Sequence, residues 1–457
     1  MSGTSRVNGT GGERGRGAAA AVLAVWAVTR GALLLCVFKV LTVPGPDVTS
    51  DVSVIYRGWY EVLRTGTYPL SDVTWQYPPA AALAIVSPAL LPFLGYATAF
   101  FVLALLSDAV VLGLLLYAAG WPRSARARRP RRSARGAWVW VVGVPLLGPT
   151  AYARYDVMVT AVAVAALLAG VGRPRLMGAL AAFGALLKVW PALLLVGTAP
   201  GRATRRAWAS AVVTALALVV CASAALPGAL AFLTFQRDRG TEVESLGALV
   251  FQVWRHFGWT GGVQLHYGSV EFVGPYVPVV SAAALALSAL ALGWLVVWRL
   301  RARTYGAATA PDAAFAAVLL FTTTSRVLSP QYLLWLVGLA AVALTARASR
   351  MAVPALLVLV ATGVTALEFP LGFDHVVAGD PLGLTLLFVR NGLLVAATVI
   401  ACRRLWRATV PGGGRAGTGR GKGQGKGRGR GRAAGPCAGR GAEVSPGAAG
   451  PDRATAP

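Results

Sequence analysis

Apolar residues in this chain come in long runs, separated by short polar segments whose charge alternates from one break to the next. Residues 18–43 and 96–119 each exceed the roughly 20 residues needed to cross a bilayer. Further runs lie at 137–150, 157–171, 176–200, 207–226, 276–298, 312–324, 331–346, 351–367 and 382–402. Residues 80–94 are interrupted by Pro88 and Pro92 and predict an interfacial or re-entrant segment. The run 176–200 is basic at both flanks and predicts a hairpin of two short helices turning near Lys188-Val-Trp-Pro191. The fold class is therefore an all-α polytopic membrane protein with about twelve transmembrane helices. Residues 51–65 follow a different pattern: Val52, Ile55, Trp59 and Val62 fall at helical spacing among Arg57, Glu61 and Arg64. That predicts an amphipathic helix lying on the outer interface.

Composition fits this picture. Of 457 residues 56% are hydrophobic and 13% charged, with mean hydropathy +0.63. Soluble domains carry about 25% charged residues, so a soluble enzyme, a secreted disulfide scaffold and a DNA-binding domain are excluded for the bulk of the chain. The net charge of +26 sits in breaks such as 121–136, with seven arginines, and in the C-terminal tail. By the positive-inside rule both termini are cytoplasmic, and 44–79, 227–275 and 368–381 are outside. This placement of charge predicts membrane lipid and no nucleic acid as partner. Residues 1–17 read as a disordered cytoplasmic terminus and 18–402 as the membrane domain. Residues 403–457, alternating Gly with Arg or Lys, read as a disordered tail that anionic inner-leaflet lipid attracts, or that serves only as a topology signal. Cys36, Cys221, Cys402 and Cys437 form no CxxC pair, and His256, His266 and His375 lack metal-ligand spacing. No metal and no cofactor are predicted.

The chemistry-bearing residues group on the outer side of this topology. The first loop offers Asp47, Asp51, Asp72, Trp75 and Tyr77; short turns offer Arg154 and Asp156, Lys188, and Arg326 with Gln331. Three cations at separate turns predict an anion pocket, and a phosphate at the membrane surface fits. A carboxylate beside it can act as general base on a hydroxyl. Plainer roles stand next to these. Asp51 is a good N-cap residue, Arg154 can pair with Asp156 or snorkel, and Arg326 can anchor the rim. Tyr77-Pro78-Pro79 can be a rigid turn. Trp59, Trp75 and Tyr77 can stack on sugar faces, with interface anchoring as the alternative for the two tryptophans. Glu242 and Glu244 read as solvated loop charges.

The motifs Asp51-Val-Ser-Val-Ile-Tyr56, Gly66-Thr-Tyr-Pro69, Tyr77-Pro-Pro79, Arg154-Tyr-Asp156, Arg173-Pro-Arg-Leu-Met-Gly-Ala-Leu180, Lys188-Val-Trp-Pro191, Ser325-Arg326 and Pro330-Gln-Tyr332 occur in that order. As an ordered set, over about residues 20–402, they resemble the actinobacterial polyprenyl-phosphate-sugar glycosyltransferases of family 87. The resemblance implies the GT-C fold, in which an external loop with interfacial helices follows the first span. It implies an acid of that loop as general base, Asp51 here, with Asp47 as rival. It implies basic residues at the donor phosphate, here Lys188 and Arg326 and also Arg154. Tyr56, Tyr77, Asp156 and Gln331, from the same motifs, are the substrate-binding candidates.

The implied reaction is an inverting transfer of a hexose, mannose first and arabinofuranose as alternative. The donor is a polyprenyl-phosphate-sugar and the acceptor a glycolipid or glycan on the outer side of the cell membrane. A transporter or flippase of a lipid-linked sugar is the rival class. It calls for ionisable groups near the bilayer midplane, whereas the candidates here gather outside.

Overall fold

A computed structural model describes residues 10–121, 133–237 and 239–411. The arginine-rich core of the 121–136 break and the tail beyond residue 411 lie outside the described residues. The elements in chain order are α1 (Thr10–Val37), α2 (Arg57–Arg64), α3 (Ala81–Val86), α4 (Tyr96–Ala119), α5 (Arg135–Leu146), α6 (Asp156–Ala169), α7 (Pro174–Leu187), α8 (Arg202–Ala225) and α9 (Phe232–Arg237). There follow β1 (Thr241–Glu242), α10 (Ala248–Trp254), β2 (Gly262–His266), β3 (Ser269–Val273), α11 (Val277–Arg301), α12 (Thr309–Thr324), α13 (Tyr332–Thr345), α14 (Ala352–Ala366), α15 (Phe373–Ala378) and α16 (Pro381–Thr409).

Among the described residues six helices are long and apolar enough to cross a membrane: Gly17–Val37, Tyr96–Ala119, Arg202–Ala225, Val277–Arg301, Ala352–Leu371 and Pro381–Thr409. Other apolar runs form shorter helices, among them Asp156–Ala169, Pro174–Leu187 and Tyr332–Thr345, so six helices of membrane length stand beside the expected number of about twelve. The most enclosed of these shorter helices is α13. Every residue of α13 from Leu333 to Thr345 is buried, because α5, α6, α12 and α14 enclose it. Close approach makes this possible: a Cβ on Gly136 would lie 2.2 Å from the Ala341 carbonyl oxygen, and one on Gly143 2.5 Å from Val337. Small residues thus let α5 pack backbone-close against α13.

Several boundaries differ from those the sequence predicts. α1 begins at Thr10, inside the expected tail, and α16 runs to Thr409, seven residues past the expected domain end at 402. The second arm of the 176–200 hairpin is one short 3-10 helix, Trp190–Leu195, about 12 Å long at 2 Å per residue. Pro191 at its start removes a backbone donor and packs on Gly184. Residues 81–90 form α3 and a 3-10 turn, too short to span.

The amphipathic stretch is helical, but its buried stripe is Val52, Tyr56, Trp59 and Leu63, not Val52, Ile55, Trp59 and Val62. Asp51–Tyr56 is wound as a π-helix, and its wider turn rotates each later side chain off the 3.6-residue pattern. The polar loop 227–275 is not all-α. It carries an antiparallel sheet in the order β1-β3-β2, with Thr241 paired to Phe272 and Val263 to Phe272. Tyr267 and Gly268, both at positive φ, make the tight β2–β3 turn. Its inner face joins Val243, Phe251, Trp259 and Phe272 to Val376 and Leu387 in a second core.

Candidate active site

The candidate site forms where the first loop meets the α5–α6 turn and the end of α7. Asp51 stands at the head of the π-turn and its carboxylate forms an ion pair with Arg154. Arg154 also donates to the carbonyls of Val48, at 3.3 Å, and Ala153, at 3.0 Å. Two residues on, Asp156 opens α6 and is fully buried. Its Oδ1 accepts from Lys188 Nζ and from Trp335 Nε1, each at 2.6 Å. Lys188 follows the last residue of α7 in extended backbone, which turns its side chain back toward α6. Four rings surround its ammonium: Tyr155 at 5.0 Å, Trp335 at 5.2 Å, Tyr77 at 5.6 Å and Tyr332 at 5.7 Å. Their π-faces offset part of the cost of burying the charge. Burial still pushes the Lys188 amine below the usual lysine range, against the pull of Asp156.

Three buried polar atoms of this cluster lack a hydrogen-bond partner. Asp156 Oδ2, Tyr56 Oη and Trp190 Nε1 are all unsatisfied. Tyr56 and Tyr77 pack with Tyr155 at 6.0 and 5.4 Å, and burial raises the hydroxyl pKa of both. Such atoms mark places where a ligand or an ordered water belongs.

The sheet-bearing loop closes on the same rings. Arg239, just before β1, pairs with Glu271 of β3 at 3.2 Å and donates to Ser269. Its charge is felt at the hydroxyls of Tyr77 and Tyr332. Glu242 of β1 accepts from the Leu328 amide and from Ser329 Oγ, and its own amide donates to the Arg326 carbonyl. The turn carrying Arg326 and Gln331 is thereby tied to the sheet. Burial raises the Glu242 pKa although Arg239 opposes it. Glu244, two residues on, meets Arg390 of α16 at 3.3 Å. Arg390 also lies 3.1 Å from Glu368.

The profile of glycosyltransferase family 87 matches residues 75–330, more than half of the chain. The chain belongs to glycosyltransferase family 87. No curated protein matches it. A solved structure similar to it is that of ArnT from Cupriavidus metallidurans bound to undecaprenyl phosphate. That structure is 16% identical, with 85% of this chain and 77% of that chain covered and a TM-score of 0.39.

This family 87 chain is thus a membrane glycosyltransferase, and its matched range holds Tyr77, Arg154, Asp156, Lys188 and Arg326. Asp51, Tyr56 and Gln331 lie outside the range and rest on geometry. Asp51, Arg154, Asp156, Lys188, Tyr56 and Tyr77 come together in one cluster. Gln331 stands at the N-terminal boundary of α13 beside Tyr332, and the Arg326 carbonyl accepts from the Glu242 amide.

Other placements correct the sequence expectations. Arg154 pairs with Asp51 and not with Asp156, which holds Lys188. Asp47 turns away from the cluster: it bonds Thr49 in a local turn and pairs with Lys39 at 2.8 Å on the exposed side. Trp59 and Trp75 are buried, with Trp59 donating to Asp72, and offer no face to a sugar. Glu242 and Glu244 are 3% and 4% exposed, not solvated. Among the described residues no group of three His, Cys, Asp or Glu side chains is placed to hold a metal ion.

One supporting network involves residues not singled out from the sequence. Asp108 of α4 accepts from Arg30 and Tyr152 at 2.7 Å through Oδ2, and from Trp140 at 2.7 Å and Trp26 at 2.9 Å through Oδ1. Arg30 adds a bond to the Val141 carbonyl at 2.7 Å. This buried knot joins α1, α4 and α5 to the turn that presents Arg154. Arg30 within the apolar run 18–43 and Asp108 within 96–119, charges deep in runs of membrane length, were its only sequence signal.

Proposed function

We propose that the chain transfers a hexose, mannose first, from a polyprenyl-phosphate-sugar to a hydroxyl of a glycolipid or glycan, on the outer side of the membrane and with inversion. The observation that carries this reading is the half-open Asp51–Arg154 pair beside the enclosed Asp156–Lys188 pair. Asp51 is the partly exposed carboxylate of the two, with 24% of its side chain accessible. It is the one an acceptor can reach.

In the mechanism Arg154 passes from Asp51 to the donor phosphate, which frees the carboxylate. Asp51 then takes the proton of the acceptor hydroxyl. The acceptor oxygen bonds to the anomeric carbon as the bond from that carbon to the phosphate oxygen breaks, and polyprenyl phosphate leaves with the electron pair. Lys188, Arg154 and Arg326 stabilise its growing charge. Tyr56, Tyr77, Asp156 and Gln331 line the bound sugar. The basic breaks of the chain face the cytoplasm, as do both termini.

Radiolabelled polyprenyl-phosphate-mannose, supplied with host lipid to the purified protein in bilayers, tests the proposal. Label passes to a glycolipid with wild type and not with folded Asp51→Asn. Transfer that survives in Asp51→Asn would sink the base assignment. Absence of wild-type transfer, with mannose and arabinofuranose donors alike, would sink the donor class.

A further inference from the structure

A groove of about 360 Å³ lies between α11, α12 and α16, at the Thr409 end of α16. It is some 20 Å along that helix, at 1.5 Å per residue, from the Arg390 that meets the sheet-bearing loop. Trp294, Leu320 and Thr398 line it together with Val399, Cys402, Arg403, Trp406 and Arg407. The last five fall three and four residues apart and share one face of α16. The wall is apolar, and the two arginines are exposed. Among the described residues neither arginine has an ion-pair or hydrogen-bond partner, whereas Arg404 next to them bonds the Arg350 carbonyl. Trp294 and Trp406 stand 6.1 Å apart, the residue type that marks the boundary between hydrocarbon and headgroups.

We propose that this groove binds an anionic glycerophospholipid. An acyl chain lies along Trp294, Leu320, Val399 and Trp406, and the headgroup phosphate sits between Arg403 and Arg407. Charge selects this occupant. Two exposed guanidiniums over an apolar wall are complemented by an occupant that joins a negative charge to a hydrocarbon chain. A second copy of the chain would bring the same cations. A phosphate diester matches the guanidinium pair and leaves the apolar wall to its tail.

The test uses full-length protein in nanodiscs holding either phosphatidylglycerol or phosphatidylcholine with a photoreactive group in the acyl chain. Labelled peptides are mapped by mass spectrometry. Phosphatidylglycerol labels the peptides around Trp294 and 398–407 in preference, by about fivefold for each arginine at about 1 kcal/mol per cation. Arg403→Gln with Arg407→Gln abolishes the preference, and Arg404→Gln keeps it. Equal labelling by the two lipids, a preference untouched by the double substitution, or displacement by polyprenyl phosphate alone would overturn the proposal. The readout is independent of transfer activity, so it stands or falls apart from the proposed reaction.

Discussion

The Asp51 carboxylate is held by the Arg154 guanidinium, which joins the first loop to the turn before α6 across more than a hundred residues of chain. Neither group is free in this arrangement. If Asp51 is the base, Asp51→Asn lowers kcat by about 10²–10⁴-fold, the usual contribution of a positioned base, with an unchanged thermal midpoint. Asp47→Asn, away from the cluster, leaves kcat within a few-fold of wild type. The reverse order of effects in a transfer assay would move the base to Asp47.

Arg154→Gln separates the two roles given to that residue. It raises KM for the donor and lowers kcat, because it removes the phosphate contact of the proposed reaction while leaving Asp51 unpaired. A variant whose KM and kcat both match wild type would remove Arg154 from the site.

Lys188 carries a pH signature. Burial holds its amine below the usual lysine range, so it loses its proton at a lower pH than a free lysine does. In the proposed reaction the charged form is the one that holds the donor phosphate. The transfer rate therefore falls as pH rises through that lowered value, before the ordinary lysine range near pH 10.4 is reached. Lys188→Arg moves this alkaline limb beyond the measurable range, and Lys188→Met costs about 10²–10³-fold in kcat. An alkaline limb that persists in Lys188→Arg would belong to another group.

The Arg30–Asp108 pair tests what positions Arg154. Asp108→Leu strands a buried guanidinium and costs about 3–5 kcal/mol of stability, read as a fall in the thermal midpoint. Arg30→Met with Asp108→Leu recovers most of that loss, since neither charge is then left alone. Failure of the double variant to outperform Asp108→Leu would show that the network acts through shape rather than charge.

Glu244 gives the sheet-bearing loop its own pH dependence. Burial and the neighbouring Glu368 carboxylate push its pKa well above the usual range, and Arg390 opposes them. The folded state holds the proton longer than the unfolded state does. Its contribution is complete below the ordinary carboxylate range and is lost as pH rises through the raised value. Hydrogen exchange over 241–276 therefore accelerates as pH rises through that raised value, and Glu244→Gln flattens the change. Exchange independent of pH, after allowance for the intrinsic rate, would remove Glu244 as the cause.

Much of this was legible from hydrophobic runs, because membrane-length helices declare themselves by length and composition. The cluster was legible as ordered motifs: Lys188 stands alone in an apolar run, Asp51 and Arg154 open short polar motifs, and the fold brings them together. What sequence could not show were partners set by distance along the chain. Glu242 finds Ser329 87 residues away, and Glu244 finds Arg390 across 146. Two acids in a polar loop therefore read as solvated when both are buried. The π-turn at Asp51 shifted a buried stripe that a 3.6-residue count could not place. The alternation Val263, Leu265 and Val270, Phe272 around Tyr267-Gly268 is a period-two signal that the all-α reading passed over.

The three closely paired cations, Arg154, Lys188 and Arg239, each carry a carboxylate of their own, in Asp51, Asp156 and Glu271. As a group these six side chains are electrically neutral before any substrate arrives. In the proposed reaction the donor enters with one negative charge and leaves as a phosphate monoester with two, while Asp51 gives up one by taking the acceptor proton. The total inside the pocket is then the same at the end as at the start. Charge moves from a carboxylate to a phosphate without any being created in a medium that solvates ions poorly. Proton uptake and phosphate departure are bound together by that balance, and a water molecule entering in place of the acceptor would find the base still clasped by arginine until a donor has drawn it away.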